Sequence, residues 1–242
     1  AMIVEPVQGE GGYVYPPEGW FQELRALCDE HGILLIADEV QSGMGRTGTL
    51  HAWEQEGVSP DIQVIAKGVG GGYQPIGGSI VCDEVAEVMG SAGDFNHGYT
   101  YSGHPVAAAV ALENLRILQE EKIIEHVQNV ANPHLAKRWA ELADHPLVGE
   151  AKLVGLMGSI ALTPDKAHRA KFAAETGTVG YRCRERCFAN DLIMRHVGDR
   201  MIISPPLVIT KSEVDLLIER AWKSLDEGMA AAKAEGLWHA AT

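Results

Sequence analysis

Two short apolar segments, each ending in an ionisable residue, dominate the first third of the sequence. Residues 33–38 read Ile-Leu-Leu-Ile-Ala-Asp, and residues 62–67 read Ile-Gln-Val-Ile-Ala-Lys. Short apolar runs rich in β-branched residues are typical of buried strands in a parallel sheet. Open α/β sheets bind their ligands at the carboxyl ends of such strands. The pattern therefore predicts that Asp38 and Lys67 lie at one ligand-binding edge of a sheet.

The surrounding residues predict an α/β chain with two domains. A strand at residues 2–5 precedes a helix with apolar positions at helical spacing, and that helix ends before Gly32. Strand, helix and strand in this order form a βαβ-type unit. Beyond residue 144 the strand and helix patterns mix without strict alternation, which is typical of an α+β domain. We therefore predict domains at residues 1–144 and 145–242.

Charge and hydropathy argue against two classes of partner. The chain has 242 residues, with 20 Lys and Arg against 33 Asp and Glu and a net charge of −13. Such an acidic chain is a poor general binder of the nucleic acid backbone, and it favours a role with small molecules. No apolar run reaches the roughly 18 residues that a membrane-spanning helix needs. We expect neither nucleic acid nor membrane as a partner.

The cysteines indicate a reducing compartment. Cys183 and Cys187 stand four residues apart on a predicted helix, a spacing that could hold zinc. No second pair of ligands lies at metal-site spacing, and disulfides are rare inside cells. We therefore expect reduced structural thiols, no metal site and a cytoplasmic protein.

Lys67 stands directly before a glycine-rich loop. Most loop lysines are solvated surface residues. A lysine that a buried strand partly desolvates loses part of its preference for the charged form, and its neutral amine can form a Schiff base. The loop matches neither the P-loop, in which lysine follows the glycines, nor the dinucleotide fingerprint, because Tyr73 replaces the third glycine. The loop thus gives little support to a nucleotide site, and a surface lysine and a reactive lysine both remain open interpretations of Lys67.

Asp38 also has two interpretations. An aspartate at a strand end is most often a helix cap or a solvated residue. Its functional use would be to neutralise a buried cation, such as the protonated ring nitrogen of pyridoxal phosphate. That protonated ring is the electron sink that makes carbanion chemistry possible. The residue itself leaves both interpretations of Asp38 open.

Motifs along nearly the whole chain occupy residues 5–12 (EPVQGEGG), 37–43 with 45–48, 66–77, 97–105 (HGYTYSGHP), and 198–199 with 205–207. In order and spacing they resemble the C-terminal part of class III (omega-type) aminotransferases, with a pattern similar to that of amine–pyruvate transaminases. The resemblance implies a pyridoxal-phosphate transferase of fold type I, an α/β fold. Residues 1–144 would be the C-terminal part of the large, mostly parallel-sheet cofactor domain, and residues 145–242 the smaller C-terminal α+β domain. It also implies a longer protein, whose N-terminal half carries the phosphate loop.

The resemblance implies roles for individual residues. Lys67 resembles the lysine that forms the Schiff base with the cofactor, and Asp38 resembles the partner of the ring nitrogen. Val40 would pack on one face of the ring, and Gln41 would hydrogen-bond its phenolic oxygen. Thr100 would reach the cofactor phosphate of the neighbouring subunit, which implies a homodimer with shared active sites.

Two further residues are implied in substrate binding. Arg195 is similar to an arginine that binds the substrate carboxylate in amine–pyruvate members and moves aside for bulky amines. The planar fork of arginine suits a carboxylate, although a salt-bridged surface arginine is the alternative interpretation. Glu5 is similar to a family glutamate near the substrate pocket, which in some members pairs with an arginine.

The implied activity is transamination from an amine or omega-amino acid donor to a keto acid, with pyruvate as the expected acceptor. Within the family, an aminomutase or a decarboxylating transaminase would use the same Lys67 and Asp38. A Schiff-base lyase without cofactor, or an inactive fragment that needs its N-terminal half, is also compatible with these residues. The sequence does not name the amine donor.

Overall fold

The computed structural model describes residues 1–240, so residues 241 and 242 of the predicted second domain lie outside it. The chain forms two compact units. The first unit contains residues 1–8 and 15–124, and the second contains residues 9–14 and the described chain from residue 125 onward.

The first unit contains a four-stranded sheet, a helix between its first two strands and two helices after its last strand. Its elements are β1 (Met2–Val4), α1 (Trp20–Glu30), β2 (Leu35–Asp38), β3 (Ile62–Ile65), β4 (Gly78–Val81), α2 (Asp83–Ser91) and α3 (Pro105–Glu120). The strand order is β1-β2-β3-β4, in which the first three strands are parallel and β4 runs antiparallel to β3. The sheet is therefore mostly parallel, as the sequence predicts.

Helix α1 buries one apolar face against the start of β2. Leu24 and Cys28 form a core cluster with Leu35. The helix ends at Glu30, and Gly32 shortly after it has a φ of +61°, in the left-handed region that glycine adopts without steric cost. The amide of Ile33 then donates to the carbonyl of Cys28 at 2.8 Å, which directs the chain into β2.

The second unit is built on an antiparallel sheet. Its elements are α4 (Ile123–His126), which contains the division between the units in the sequence, α5 (Asn132–Glu141), β5 (Val148–Val154), β6 (Met157–Leu162), α6 (Thr178–Ala189), β7 (Arg195–Val197), β8 (Arg200–Ile203) and α7 (Lys211–Ala234). The strand order is β5-β6-β8-β7, and all neighbours are antiparallel. Helix α7 begins with a capping box of Thr210 and Glu213.

The compact units divide at residues 124 and 125, whereas the domains at residues 1–144 and 145–242 stay a prediction. Helix α5 belongs to the second unit because its apolar face is buried in that core. Leu135 and Trp139 are almost fully buried there, in one cluster with Ile160 of β6. Trp139 Nε1 also donates to the carbonyl of Ser159 at 3.4 Å. The helical pattern runs on to residue 141, so the sequence does not show which sheet the helix covers.

The four cysteines are free thiols, and three of them are buried. Burial raises the pKa of Cys187 to about 11 and raises that of Cys183 further. Thiols that keep their protons at neutral pH are poor metal ligands and poor nucleophiles. Within residues 1–240, no group of three or more His, Cys, Asp or Glu could hold a metal ion. No helix in that range is long and apolar enough to cross a membrane.

Candidate active site

The carboxyl ends of β1, β2 and β3 bring three predicted site residues to one edge of the first sheet. Val4 pairs with Ala37 in the parallel register, so Glu5 and Asp38 follow side by side. Lys67 follows the end of β3 by two residues. Neighbouring strands lie about 4.8 Å apart, so these ends lie within the span of one small ligand. The sequence prediction of a shared edge for Asp38 and Lys67 agrees with this register.

The carboxylate of Asp38 is half-buried and is oriented by its own turn. The amide of Val40 donates to Asp38 Oδ1 at 3.0 Å. The amide of Glu39 continues the hydrogen bonding between β2 and β3 by donating to the carbonyl of Val64 at 2.9 Å. A fixed carboxylate and a lysine amine at one sheet edge are the groups that a pyridinium nitrogen and an aldehyde require. The residues present therefore fit pyridoxal phosphate.

Glu39 is a buried acid that the sequence reasoning missed. It is 1% exposed, and its carboxylate accepts from the Trp53 amide at 3.0 Å and from Ser42 Oγ at 2.7 Å. These bonds hold the loop after β2 against the strand end, and so fix the backbone that carries Val40 and Gln41. The signal was strand alternation, because residues 35, 37 and 39 share one buried face.

Replacing Glu39 by Ala should lower the free energy of unfolding by roughly 1.5–3 kcal/mol, because buried donors lose a charged acceptor. The measurement is the urea midpoint of the full-length protein. Glu54→Ala is the matched control, because Glu54 also accepts a backbone amide, that of His51 at 2.9 Å, but is exposed. Equal midpoints for the two variants would contradict the buried role of Glu39.

Lys67 occupies a strained backbone conformation. Its φ is +45°, in the left-handed region, and it begins a single 3₁₀ turn at Lys67–Gly70. A residue with a side chain pays about 1–2 kcal/mol for this conformation, and such strain occurs often at functional sites. Lys67 is exposed in this chain, and its partial desolvation in the full-length protein stays a prediction.

Packing explains the glycines after Lys67. A Cβ at Gly68 would lie 2.7 Å from the Cβ of Met44, and one at Gly70 would lie 3.0 Å from Ile76 Cγ2. Glycine is therefore needed at position 68 where the turn closes against Met44, and a side chain at position 70 would require Ile76 to shift.

Thr100 lies in a segment whose residues 91–106 are all exposed. A local turn is present, in which the amide of Tyr99 donates to Ser102 Oγ at 2.9 Å. Tyr99 and Tyr101 are 84% and 80% exposed, and with residues 74–77 they line an open cavity of about 870 Å³. The role of Thr100 toward a neighbouring subunit stays a prediction.

Arg195 belongs to the second unit and pairs there with a glutamate that the sequence reasoning did not select. Arg195 Nη2 lies 2.9 Å from Glu10 Oε2, and Nη1 lies 3.3 Å from Oε1. The guanidinium thus already holds a carboxylate with both nitrogens, and both side chains are exposed. Glu5 was the glutamate selected from the sequence, whereas the observed partner of Arg195 is Glu10. The available signal was the second glutamate of the same motif, residues 5–12.

The segment around Glu10 is held in the second unit by backbone contacts. Ser159 Oγ donates to the carbonyl of Tyr13 at 3.3 Å, and the side chain of Tyr13 is buried. Gly12 has a φ of +90°, and a Cβ there would lie 3.1 Å from Arg200 Cδ. Glycine is therefore needed for both conformation and space.

Comparison with known families decides the classification. The family model described as Aminotransferase class-III matches residues 1–225. The chain belongs to the class III aminotransferases. The resemblance inferred from the motifs is thereby confirmed. These enzymes are pyridoxal-phosphate enzymes of fold type I.

Relatives and solved structures of this family resemble the chain closely. The putrescine–pyruvate aminotransferase of Pseudomonas aeruginosa is 54% identical over 231 residues, which cover 96% of this chain and 50% of that protein. The gamma aminobutyrate transaminase 3 of Solanum lycopersicum is 38% identical over 94% of this chain and 44% of its own length. An (S)-enantioselective omega-transaminase from Thermomicrobium roseum has a TM-score of 0.88 and 44% identity, covering 94% of this chain and 50% of that one.

These matches confirm the predicted fold class for the class III chain, because its structural neighbours are transaminases of fold type I. The chain spans about half the length of the relatives it matches.

Proposed function

We propose that the full-length protein carrying this chain transfers an amino group from an amine or omega-amino acid to a keto acid, with pyruvate as the acceptor and pyridoxal phosphate as the cofactor. The observation that carries the proposal is the parallel register, which delivers Asp38 and Lys67 to one sheet edge. Family membership and the 54% identity to a putrescine–pyruvate aminotransferase support it.

Four residues of the first unit would have separate roles in holding the cofactor and moving the proton. When bound, pyridoxal phosphate supplies an electron sink for the carbanion that forms at the substrate carbon. Lys67 Nζ would hold the cofactor at its aldehyde carbon and, once released, would carry the substrate proton as a general acid and base. Asp38 would keep the ring nitrogen protonated. Val40 would pack on the ring, and Gln41 would hydrogen-bond its phenolic oxygen.

The remaining site residues would bind phosphate and substrate. Thr100 is exposed in its loop, so its hydroxyl is accessible to the cofactor phosphate of a second subunit in a homodimer with shared active sites. Glu5 follows β1 beside Asp38, at the border of the proposed substrate pocket. The free thiols of the chain support the proposal of a cytoplasmic protein.

A panel of donors and acceptors tests the reaction. The full-length protein is incubated with putrescine or an omega-amino acid, and with pyruvate or 2-oxoglutarate. Formation of alanine from pyruvate is the expected result. A strong preference for 2-oxoglutarate would remove pyruvate from the proposal. A product that keeps the amino group on a rearranged donor, or that has lost carbon dioxide, would indicate an aminomutase or a decarboxylating transaminase.

Arg195→Ala should raise the KM for pyruvate by about 10- to 100-fold, because a charged hydrogen-bond partner of the carboxylate is lost. The KM for a diamine donor, which has no carboxylate, should change little. Arg182→Ala is the matched control, since Arg182 also pairs with carboxylates in the second unit, at 2.8 Å to Glu235. An unchanged KM for pyruvate in the Arg195 variant would leave Arg195 as a surface salt bridge with Glu10.

A further inference from the structure

We propose that Asn114 of α3 is a positioning residue, which holds the turn that begins at Lys67 and so places the lysine amine. Asn114 Nδ2 donates to the carbonyl of Gly68 at 2.9 Å and to the carbonyl of Val69 at 3.2 Å. The two bonds connect a helix to a turn 46 and 45 residues away in the sequence. The inference rests on the proposed function of Lys67.

Two bonds from one amide group select the conformation of the turn. Successive carbonyls point to opposite sides of an extended chain, but they point in similar directions along a 3₁₀ turn. A single NH₂ group reaches the carbonyls of both Gly68 and Val69 only when these residues are turned. The turn that Asn114 selects is therefore the one in which Lys67 adopts its φ of +45°.

Because the conformation of Lys67 is strained, the turn needs stabilisation from outside, which the two hydrogen bonds of Asn114 supply. The 3₁₀ turn has backbone bonds of its own, such as Val69 N to Ala66 O and Gly71 N to Gly68 O, and both of these are long, at 3.2 Å. A left-handed lysine costs about 1–2 kcal/mol, which is comparable with the net value of one or two hydrogen bonds. Without an external partner, the turn and a relaxed loop would be close in free energy.

Packing keeps Asn114 on the turn. Ala111 and Leu115, three residues before and one after it, lie on the same face of α3 and pack with the buried Val69 and with Met44. At the other end of the turn, a Cβ on Gly71 would lie 2.7 Å from Asn114 Oδ1. The amide of Asn114 is therefore in close contact with the turn at both Gly68 and Gly71.

The first test measures the turn itself, without cofactor. Hydrogen–deuterium exchange is followed in peptides that contain residues 67–73 of the full-length protein. Asn114→Ala removes the donors, and Asn114→Asp keeps the shape but faces two carbonyls with a carboxylate. Both variants should exchange these amides about tenfold faster, while peptides of β2 and β3 keep their rates. Glu113→Ala is the control, because Glu113 is exposed and pairs with Arg116 on the same helix.

The second test measures the placement of the amine. Apoprotein is mixed with pyridoxal phosphate and quenched with borohydride, and mass spectrometry follows the labelled peptide that contains Lys67. Attachment should be about tenfold slower in both Asn114 variants than in Glu113→Ala. Wild-type exchange and attachment rates in both variants, or equal effects in the control, would overturn the proposal. Absence of labelling in the wild type would instead refute the function proposed for Lys67. The exchange experiment would still show whether Asn114 stabilises the turn.

Discussion

Lys67→Ala in the full-length protein is expected to abolish borohydride-reducible attachment of pyridoxal phosphate and to slow transamination by roughly 10²–10⁴-fold, the range for a lost general acid–base group. The physical reason is that no other amine follows β3 at the edge where Asp38 lies, within residues 62–78 of this chain. Mass spectrometry of the reduced protein and initial rates with saturating cofactor provide the two measurements.

The chain offers a matched control for this variant. Lys122 is exposed and has a φ of +52°, so Lys122→Ala makes the same chemical change at a similar left-handed position. Any effect of alanine on backbone strain is therefore common to both variants. If the Lys67 variant retained both a reducible adduct and turnover, the function proposed for Lys67 would be refuted.

Asp38→Asn is expected to keep the cofactor attached to Lys67 but to slow transamination by about 10²–10³-fold, the usual cost of one preorganised electrostatic partner. Asparagine retains an oxygen for the Val40 amide, so the turn should survive. It carries no charge, so the protonated form of the ring nitrogen loses its stabilisation. The donor half-reaction, measured as the rate at which the attached cofactor is consumed, separates this loss from a loss of binding.

Asp61→Asn is the contrasting variant. Asp61 accepts the amide of Leu35 at 2.6 Å and pairs with Arg25 at 2.9 Å. Burial raises the pKa of Asp61, but these two donors outweigh it and hold the pKa below its usual range. Its replacement should reduce stability and leave the rate per folded molecule unchanged. A similar fall in rate for both aspartates would mean that Asp38 also acts through the fold.

Local patterns were sufficient for the sheet edge. Asp38 and Lys67 each follow an apolar run, and parallel strands deliver their carboxyl ends to one side. Glu39 was within reach of the same reasoning, because alternation along β2 places it on the buried face with Leu35 and Ala37. The sequence prediction did not include Glu39, because Asp38 was already taken as the functional carboxylate at the end of this strand.

Contacts between residues far apart in the sequence could not be predicted from it. Arg195 and Glu10 are 185 residues apart, and Asn114 stands 46 residues after Gly68. No periodicity links such pairs, since each depends on how helices and strands pack. The same holds for the division of the units at residues 124 and 125, where the helical pattern of α5 continues past the boundary and only the burial of Trp139 assigns the helix.

The amino-acid pattern alone determined the strand ends, the family and the two ionisable residues that follow neighbouring strands, because strand and helix periods and short motifs are local properties. Tertiary structure decided the conformation of Lys67, the hydrogen bonds of Asn114 to its turn and the pairing of Arg195 with Glu10. Each of these depends on the balance of backbone strain, hydrogen bonding and packing among segments far apart in the chain. That balance is set only when the segments come together in the folded protein.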